Sequence, residues 1–398
     1  MKITVLGAGA MGSAVAFDLC NRPEVTRVRV CEARPAVLRT FRAWLQHPAL
    51  KTYEADARDE RALAPLLAGS DVVVSCVAPE HGPRLAALAL TAGAHYVDLG
   101  GPEASVESTL ALRPLAEQRQ RWVVPNAGFA PGLVNVLGMR AVGRFTRPIA
   151  ARILAGDVPT EPREPFSHRL SHSAEKLLED YTHPVAVLRH GRVEHCPPLT
   201  GLEPVEFGHG FDTMEAFYAA GGLDTLAHVL QGRLDRLDVK TLRWPGHADQ
   251  MRFLLDLGLA DRTVLDVRTH LTYRDVLLRR LRQRLGGDYR DAVLARVEVD
   301  GYPTDADSRG DGAPADGATR TLVYELVDRY DEETGLSAMR RCTAFPAAAV
   351  AVLLAQGAVE GGGAAPPEAV IPPEPFVAAL AARGITVTER WLDEPVAA

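Results

Sequence analysis

The residues near the amino terminus that could do chemistry are three glycines and one glutamate, with the spacing of a dinucleotide-binding motif. Gly7, Gly9 and Gly12 form a G-x-G-x-x-G pattern, and Glu32 follows 20 residues after Gly12. The first glycine permits a tight turn, the second lets a pyrophosphate approach the backbone, and the third lets a helix pack closely on a strand. A carboxylate at Glu32 would accept hydrogen bonds from the ribose hydroxyls and repel a 2′-phosphate. The motif therefore predicts NAD as the cofactor in preference to NADP.

Two alternatives stay open at this motif. Arg34 lies two residues beyond Glu32 and could accommodate a 2′-phosphate, which weakens the preference for NAD. Glu32 could also be a solvated acid at the end of a strand, with no ligand of its own.

The apolar pattern predicts the elements that position the motif. Lys2–Leu6 is a short β-branched and apolar run, typical of a buried strand, and residues 13–20 have a largely apolar helical pattern. A second strand, residues 27–31, leads into Glu32. The unpaired N–H groups at the start of the helix, including those of Ala10 and Met11, would then meet the phosphates.

The alternation of strands and helices continues to about residue 140. Near-continuous apolar strands at 71–77, 97–101 and 122–125, with a helix at 83–92, predict a doubly wound parallel sheet of the Rossmann type. Ligands bind at the carboxyl ends of the strands in such sheets. The residues expected at that edge are Asp56, Ser75, Pro79, Asp98 and Gly128.

Several later segments of the sequence together indicate one protein family. They are NAGFAPGLVN at 126–135, YTHP at 181–184, RHGR at 189–192, MEAF at 214–217, GGL at 221–223, KTLRWPGH at 240–247 and MRFLL at 251–255. In this order they resemble the saccharopine dehydrogenase superfamily over nearly the whole chain, most of all its lysine 6-dehydrogenase and saccharopine reductase branches. The KTLRWPGH segment is the most specific of them.

The resemblance implies two domains. A Rossmann NAD-binding domain would use residues 1–140 and about 338–398, and an inserted α+β domain, residues 141–337, would bind substrate and form a homodimer or higher homo-oligomer. Its sheet would be open and mainly antiparallel, in agreement with the alternating polarity of the predicted strands from about residue 145. The G-x-x-P-G-L loop, with Gly128, Pro131 and Gly132, would present free N–H groups to a carboxamide or an anion.

The resemblance also implies an NAD-dependent oxidoreductase that acts on the CH–NH group of a lysine-type amino acid. The leading expectation is oxidative ε-deamination to a semialdehyde that cyclises, the lysine 6-dehydrogenase reaction. The alternative in the same class is the glutamate-forming saccharopine dehydrogenase reaction. A non-catalytic NAD-binding sensor or scaffold is the alternative from another class.

The catalytic candidates are Asp98 and His247. Asp98 ends a strand at the predicted ligand edge and could hold or deprotonate the amine, or it could cap the next turn or contact ribose. His247 could act as an acid, a base or a hydrogen-bond donor, or it could be structural.

The substrate-binding candidates lie in the inserted domain. Arg243 suits a substrate α-carboxylate because a guanidinium can form a bidentate pair. Thr241 shares its face of the predicted strand, whereas Lys240 faces the other way. Asp180 and Tyr181 would line the same pocket by resemblance, or they could be a helix-end acid and a core aromatic. Glu215 and Tyr218 fit the face of an ordinary helix.

Composition limits the other possibilities. The net charge of −7 gives no basic surface for nucleic acid or an anionic membrane, although residues 275–287 form a basic helix with a leucine stripe. The five scattered cysteines, the absence of a signal-peptide pattern and the absence of an apolar run of membrane length indicate a cytoplasmic protein. His168 and His172 have i, i+4 spacing, but no metal is expected. Residues 300–319 are interpreted as a long hairpin loop.

Overall fold

The computed structural model describes residues 1–171, 173–221, 224–287, 289–304, 306–307 and 318–393. They form two compact units. The first comprises Met1–Arg140 and Arg340–Thr386, and the second comprises Ala141–Met339 and Val387–Ala398.

The strands of the described residues are numbered along the chain. They are β1 (Lys2–Leu6), β2 (Arg27–Glu32), β3 (Leu50–Glu54), β4 (Val72–Ser75), β5 (His95–Asp98), β6 (Trp122–Val124), β7 (Phe145–Pro159), β8 (Val185–Arg189), β9 (Arg192–Cys196), β10 (Glu203–Gly208), β11 (Phe211–Phe217), β12 (Arg236–Arg243), β13 (Val264–Asp266), β14 (Leu271–Thr272), β15 (Asp291–Pro303), β16 (Arg320–Arg329), β17 (Gly363–Ala364) and β18 (Thr388–Leu392).

The α-helices are numbered in the same way, and a 3₁₀ turn, Pro79–His81, precedes α4. They are α1 (Ala10–Cys20), α2 (Pro35–Trp44), α3 (Glu60–Leu67), α4 (Gly82–Thr91), α5 (Glu103–Leu110), α6 (Arg113–Arg119), α7 (Leu133–Val142), α8 (Ala174–Asp180), α9 (Asp224–Leu230), α10 (His247–Asp256), α11 (Tyr273–Leu285), α12 (Ala338–Ala355), α13 (Pro367–Val370) and α14 (Pro373–Ala381).

The first unit is built on a seven-stranded parallel sheet with the order β17-β6-β5-β4-β1-β2-β3. This confirms the predicted Rossmann-type doubly wound sheet. Its central strands are apolar along their length because both faces are covered, and every residue of β4 is buried. The register aligns Leu6 with Ser75 and Ser75 with Asp98, so the carboxyl ends of β1, β4 and β5 lie in one row.

The second unit contains a nine-stranded sheet. Its main path is β10-β11-β12-β7-β15-β16-β18, and the β8–β9 hairpin pairs with β12. Among the described strands of this sheet only the β12–β7 pair is parallel, which confirms the expectation of an open, mainly antiparallel sheet.

The mixed polarity of β15 does not come from exposure to solvent. Alternating polarity is typical of a sheet with one solvated face, yet the charged residues of β15 are buried. Arg296 Nε donates to Glu325 Oε1 at 2.6 Å, and Arg152 Nη1 donates to Glu298 Oε2 at 3.3 Å. Arg296 and Glu298 can be buried because each has a partner of opposite sign. Asp291 instead accepts the backbone N–H groups of Ala338 and Met339.

The carboxyl-terminal residues do not all lie in the domain predicted for them. Residues from 338 to the carboxyl terminus were all expected in the first domain, but β18 pairs with β16 in the second sheet. The outer edge of β16 offers unpaired backbone groups, and β18 satisfies them. Residues 300–303 extend β15 and are not a loop, and most of the remaining predicted hairpin loop lies outside the described residues.

The basic helix has the predicted pattern. In α11, Leu277, Leu281 and Leu285 are buried in a core cluster with α8 and α10, and its four central arginines are exposed. Thr272 and Asp275 form a reciprocal capping box at its start.

One described helix, α12, is long and apolar enough to cross a membrane, so the expectation that no apolar run reaches that length is wrong. The core helix of a folded domain passes the same test, and 72% of this helix is buried within the protein.

Candidate functional site

The glycine-rich turn between β1 and α1 has three different steric environments. Gly7 has φ +95° and donates its N–H to Cys31 O at 2.7 Å. A Cβ on Gly12 would lie 2.0 Å from Gly7 O, so only glycine allows this close packing of helix on strand. A Cβ on Gly9 would meet no protein atom within 4 Å. Since nothing in the protein requires a glycine at position 9, a close-approaching ligand is the remaining physical reason for it.

The first turn of α1 is open to an anion. Gly9 is the N-cap, no side chain caps the helix, and its first turn contains no acidic residue. The N–H groups of Ala10 and Met11 therefore point out of the helix start together with its positive dipole end. This arrangement fits the pyrophosphate of a nicotinamide dinucleotide.

Glu32 is held in place beside this turn and is only 5% exposed. Its Oε2 accepts the Ala8 N–H at 2.9 Å, and its Oε1 accepts both the backbone N–H and Nε of Arg34 at 2.9 Å. Burial alone would raise the pKa of Glu32, but the hydrogen bonds from Arg34 and Ala8 outweigh burial and lower it. Glu32 is therefore a fixed carboxylate and not a solvated strand end, while the Arg34 side chain is 68% exposed.

A groove of about 520 Å³ opens along the same turn. Gly9, Ala10 and Ser13 form one wall, and apolar residues of α2, with Trp44 at the end, form another. Arg340 closes it, with Nη2 donating to Ser13 Oγ at 2.9 Å. The turn is thus accessible to a small molecule from within the first unit.

Asp98 makes the contacts of a turn-capping residue. Its Oδ1 accepts the backbone N–H groups of Gly100 at 2.9 Å and Asn126 at 3.0 Å. Burial raises the pKa of Asp98, against the lowering effect of these bonds. The geometry matches the alternative in which Asp98 fixes the loops after β5 and β6, and its role toward an amine stays a prediction.

The loop after β6 differs from the expectation. Pro131 lies two residues before the first residue of α7. Gly132 N–H donates to Asn135 Oδ1 at 3.1 Å, and Leu133 N–H donates to Gly128 O at 2.9 Å. These N–H groups are used inside the loop because Asn135, fully buried, closes the turn and in turn donates to Glu368 Oε1 at 3.1 Å. The prediction of free N–H groups at Gly132 is therefore wrong.

The structure places the other predicted cofactor residues along the same sheet edge. Ser75 is the buried last residue of β4, and Pro79 begins the 3₁₀ turn that follows. Asp56 follows β3 and forms an ion pair with Arg58 at 2.7 Å, and hydrogen bonds from Arg58 lower the pKa of Asp56 to about 2. Their contacts with a cofactor stay predictions.

The second unit contains a buried chain of polar side chains around Arg243. Arg243 is 6% exposed; its Nε donates to Tyr181 Oη at 3.2 Å, and its Nη1 forms an ion pair with Asp157 Oδ1 at 3.3 Å. Tyr181 Oη lies 2.9 Å from His247 Nε2, and His247 Nδ1 lies 2.9 Å from Phe166 O. The structure therefore brings together three predicted residues, Arg243, Tyr181 and His247.

The hydrogen bonds define the protonation of this chain. A carbonyl can only accept, so His247 Nδ1 carries the proton, Nε2 accepts from Tyr181, and Tyr181 accepts from Arg243. Burial, followed by the charge of Arg243, lowers the pKa of His247 to about 3, and burial raises the pKa of Tyr181 to about 12. Both ring nitrogens are occupied, so the geometry matches the structural alternative for His247 and gives no support to a direct acid–base role.

Glu215, which the sequence placed on a helix face, and Asp157, which the sequence did not single out, hold this chain in place. Glu215 lies on β11, not on a helix as interpreted, and its carboxylate accepts the N–H groups of Gly246 at 2.7 Å and Ala248 at 2.6 Å. It thereby caps α10, the helix that begins with His247. Asp157 on β7 neutralises Arg243. An acid that alternates with apolar residues in a buried strand is the signal that could have identified both.

The remaining substrate candidates lie near this chain or apart from it. Thr241 is half-buried on β12, opposite Phe217. Lys240 faces away, as predicted, with Nζ donating to Glu203 Oε1 at 2.8 Å. Asp180 ends α8 and pairs with Lys176, which is the contact of a helix-end acid.

No metal-binding group of three or more His, Cys, Asp or Glu side chains occurs within the described ranges. His168 lies 5.2 Å, ring to ring, from His247, and His172 lies outside the described residues.

The fold and the glycine turn together define a dehydrogenase that uses a nicotinamide cofactor. The model of the saccharopine dehydrogenase NADP binding domain matches residues 3–124, and that of the saccharopine dehydrogenase C-terminal domain matches residues 128–385. The chain belongs to the saccharopine dehydrogenase family. It is an NAD(P)-dependent dehydrogenase acting on CH–NH donors.

Two solved structures are similar to this chain. Saccharopine dehydrogenase (L-Glu forming) from Saccharomyces cerevisiae has a TM-score of 0.77 and 17% identity, with 98% of this chain and 99% of that chain covered. Homospermidine synthase from Legionella pneumophila, in complex with NAD, has a TM-score of 0.66 and 13% identity, with 99% and 92% covered. At these identities the likeness shows the fold alone.

Replacing two glycines of the turn should separate cofactor binding from folding. Gly9→Ala leaves the fold intact, because its Cβ would meet open space, but it lowers NADH affinity at least about tenfold by blocking the phosphates. Gly12→Ala is the matched control and lowers the melting temperature, because its Cβ would meet Gly7 O. Titration calorimetry and thermal unfolding give both quantities. Unchanged NADH affinity in folded Gly9→Ala would contradict the assignment.

His247 should make stability depend on pH in a defined direction. Its folded pKa of about 3 lies below the ordinary 6.5, so its contribution is complete above pH 6.5 and is lost as the pH falls toward 3. Between pH 7 and pH 5 this loss is about 2 kcal/mol. Denaturant unfolding should show the wild type losing that much more stability than His247→Gln over this interval. Parallel pH profiles for the two proteins would show that His247 is not buried in its neutral form.

Proposed function

We propose that this protein is an NAD-dependent dehydrogenase of a lysine-type amino acid, with oxidative ε-deamination of lysine as the leading reaction. The ε-carbon loses a hydride and its amine loses a proton, which leaves an imine. Water then converts the imine to a semialdehyde and ammonia, and the semialdehyde cyclises. The nicotinamide, when bound, supplies the hydride acceptor. The protein has to hold the amino acid, exclude water and release a proton.

The observation that carries the proposal is the fixed orientation of Arg243. Its Nε and Nη1 are occupied by Tyr181, Asp157 and the Leu242 carbonyl, whereas Nη2 has no hydrogen-bond partner among the described residues. A substrate α-carboxylate would bind there through a charge-assisted hydrogen bond. Asp157 offsets part of the charge, so the site suits one carboxylate in preference to several.

The neighbouring cations support a small substrate. Arg163 pairs with Glu161 at 2.9 Å, and Lys176 pairs with Asp180, so neither is left for a further carboxylate. Arg169 is the exception, because its hydrogen bond within the described residues goes to the adjacent His168 carbonyl at 3.2 Å. The saccharopine dehydrogenase reaction is therefore the second candidate, with Arg169 as the additional cation for a substrate with three carboxylates.

The choice of NAD rests on Glu32. A carboxylate with a lowered pKa, fixed beside the glycine turn, repels a 2′-phosphate and offers its remaining lone pairs to ribose hydroxyls. Arg34 is the feature that favours NADP, since its exposed guanidinium could leave Glu32 and pair with a phosphate. The acid is buried at the turn and the cation is in solvent, so we favour NAD.

Asp98 is the candidate for the base that accepts the proton from the substrate amine. Burial raises the pKa of the Asp98 carboxyl, against hydrogen bonds from Asn126, Gly100 and the Tyr96 side chain, and this carboxylate would take the proton of the amine. We further propose a cytoplasmic protein whose partners are its amino-acid substrate and its own copies, with no nucleic acid and no membrane.

An assay with parallel substrates tests the proposal. Lysine and saccharopine are offered at alkaline pH with NAD and with NADP, and reduction of the nicotinamide is followed by absorbance. The expected result is a kcat/KM for lysine with NAD at least about tenfold above every other combination.

The control variant for this assay is Arg169→Gln, which should leave lysine turnover unchanged. Turnover with saccharopine alone, lost in Arg169→Gln, would establish the second candidate in place of the first. NADH binding without turnover of either amine would favour the non-catalytic sensor.

A further inference from the structure

A guanidinium from the carboxyl-terminal part of the chain lies beside the first turn of α1. Arg340, near the start of α12, donates from Nε to Ala10 O at 3.1 Å and from Nη2 to Ser13 Oγ at 2.9 Å. Ser13 Oγ in turn donates to Ala10 O at 3.0 Å. All three residues belong to the first unit. The segment that returns after the second unit is therefore fixed at two atoms to the helix that follows the glycine-rich turn.

The helix opposes a positive charge at this place. The start of a helix is the positive end of its dipole, so it repels a cation and attracts an anion. The first turn of α1 contains no acidic residue that would offset the charge of Arg340. Glu32, the carboxylate beside the turn, is engaged by Arg34 and the Ala8 N–H. The arrangement becomes favourable when an anion binds at the start of the helix.

Arg340 and Gly9 line the same groove. A Cβ at position 9 would meet no protein atom within 4 Å, so the groove is open where a phosphate would approach the backbone. The ring of Trp44 lies 5.9 Å from Cζ of Arg340 and holds the guanidinium from another side. Because the two hydrogen bonds and the ring contact already fix this side chain, it loses little conformational freedom when an anion binds.

The charge of the site favours a diphosphate over other anions. The start of α1 contributes its N–H groups and a partial positive charge, and Arg340 contributes a full one. The pyrophosphate of a nicotinamide dinucleotide carries a negative charge on each phosphate, which suits both contributions. A lone carboxylate would leave part of this positive charge unbalanced.

We propose that Arg340 is a cofactor-binding residue, which supplies a positive charge to the pyrophosphate site at the start of α1. The G-x-G-x-x-G turn provides backbone N–H groups but no cationic side chain. The cofactor site is therefore complete only when α12 has returned to the first unit. The inference rests on the binding of a nicotinamide dinucleotide and is independent of the proposed amine substrate.

Titration calorimetry of the full chain with NADH and with NADPH tests this assignment. Arg340→Gln should raise the dissociation constant of the better-bound cofactor at least about tenfold, because a charge-assisted contact is lost. Arg39→Gln is the matched control, since it removes the same charge from an exposed position on α2 that is not among the described residues lining the groove. Its dissociation constant should stay within about twofold of the wild-type value. Arg340→Lys keeps the charge and should recover part of the lost affinity.

A second set of measurements separates anion binding from a purely structural role. Inorganic pyrophosphate should raise the melting temperature of the wild type and of Arg39→Gln more than that of Arg340→Gln. The cofactor affinity of the wild type should also fall more steeply than that of Arg340→Gln between about 0.05 and 0.5 M salt. Ser13→Ala removes one of the two acceptors that hold the guanidinium and keeps a good helix former, so it should weaken cofactor binding in the same direction.

Far-UV circular dichroism verifies that each variant is folded. Arg340→Gln that binds the cofactor as tightly as Arg39→Gln overturns the proposal. So does a loss of cofactor affinity in a variant that pyrophosphate stabilises as much as the wild type, since Arg340 would then act on the fold and not on the anion. If Arg340→Gln does not fold, unchanged cofactor affinity in Ser13→Ala overturns the proposal. A wild type that binds neither NADH nor NADPH contradicts the cofactor assignment itself.

Discussion

A guanidinium removed from water must be surrounded by acceptors, and Arg243 imposes this requirement on the second unit. Asp157 supplies the countercharge, Tyr181 accepts from Nε, and His247 accepts from Tyr181. His247 stays in position because Glu215 caps the helix that begins with it. Each of these residues forms a hydrogen bond or an ion pair that holds the next one in place. Together they leave a single nitrogen of the Arg243 guanidinium, Nη2, for a ligand.

In the first unit, the polar groups that need a partner lie at the start of a helix. The start of α1 has no capping side chain, and Gly9 keeps the space before it open. The unsatisfied N–H groups and the positive dipole end of α1 can bind an anion there, and Glu32 places a fixed negative charge beside them. One unit thus offers a binding site for phosphates and a ribose, and the other offers a cation for a carboxylate.

The sequence predicted those parts of the site that depend on local geometry. The G-x-G-x-x-G turn, the strand that ends in Glu32 and the leucine stripe of α11 depend on spacing within a few turns of chain. The error at Glu215 arose because a strand residue and a helix-face residue can share the same i, i+3 spacing. Its true partner is the helix that starts 32 residues later, and that contact is set by the pairing of β11 with β12. The buried ion pairs of β15 were missed for a related reason, since alternation alone cannot tell solvent from a paired charge.

The central claim is that Arg243, held by Tyr181 and Asp157, binds a substrate carboxylate. The most direct measurement compares kcat/KM for lysine with that for its decarboxylated diamine, in the wild type and in Tyr181→Phe. The account predicts that the wild type favours lysine by about a hundredfold. It also predicts that Tyr181→Phe reduces this preference by raising KM for lysine, with NADH affinity unchanged. Equal activity of the wild type toward both amines would contradict the claim and remove Arg243 from substrate binding.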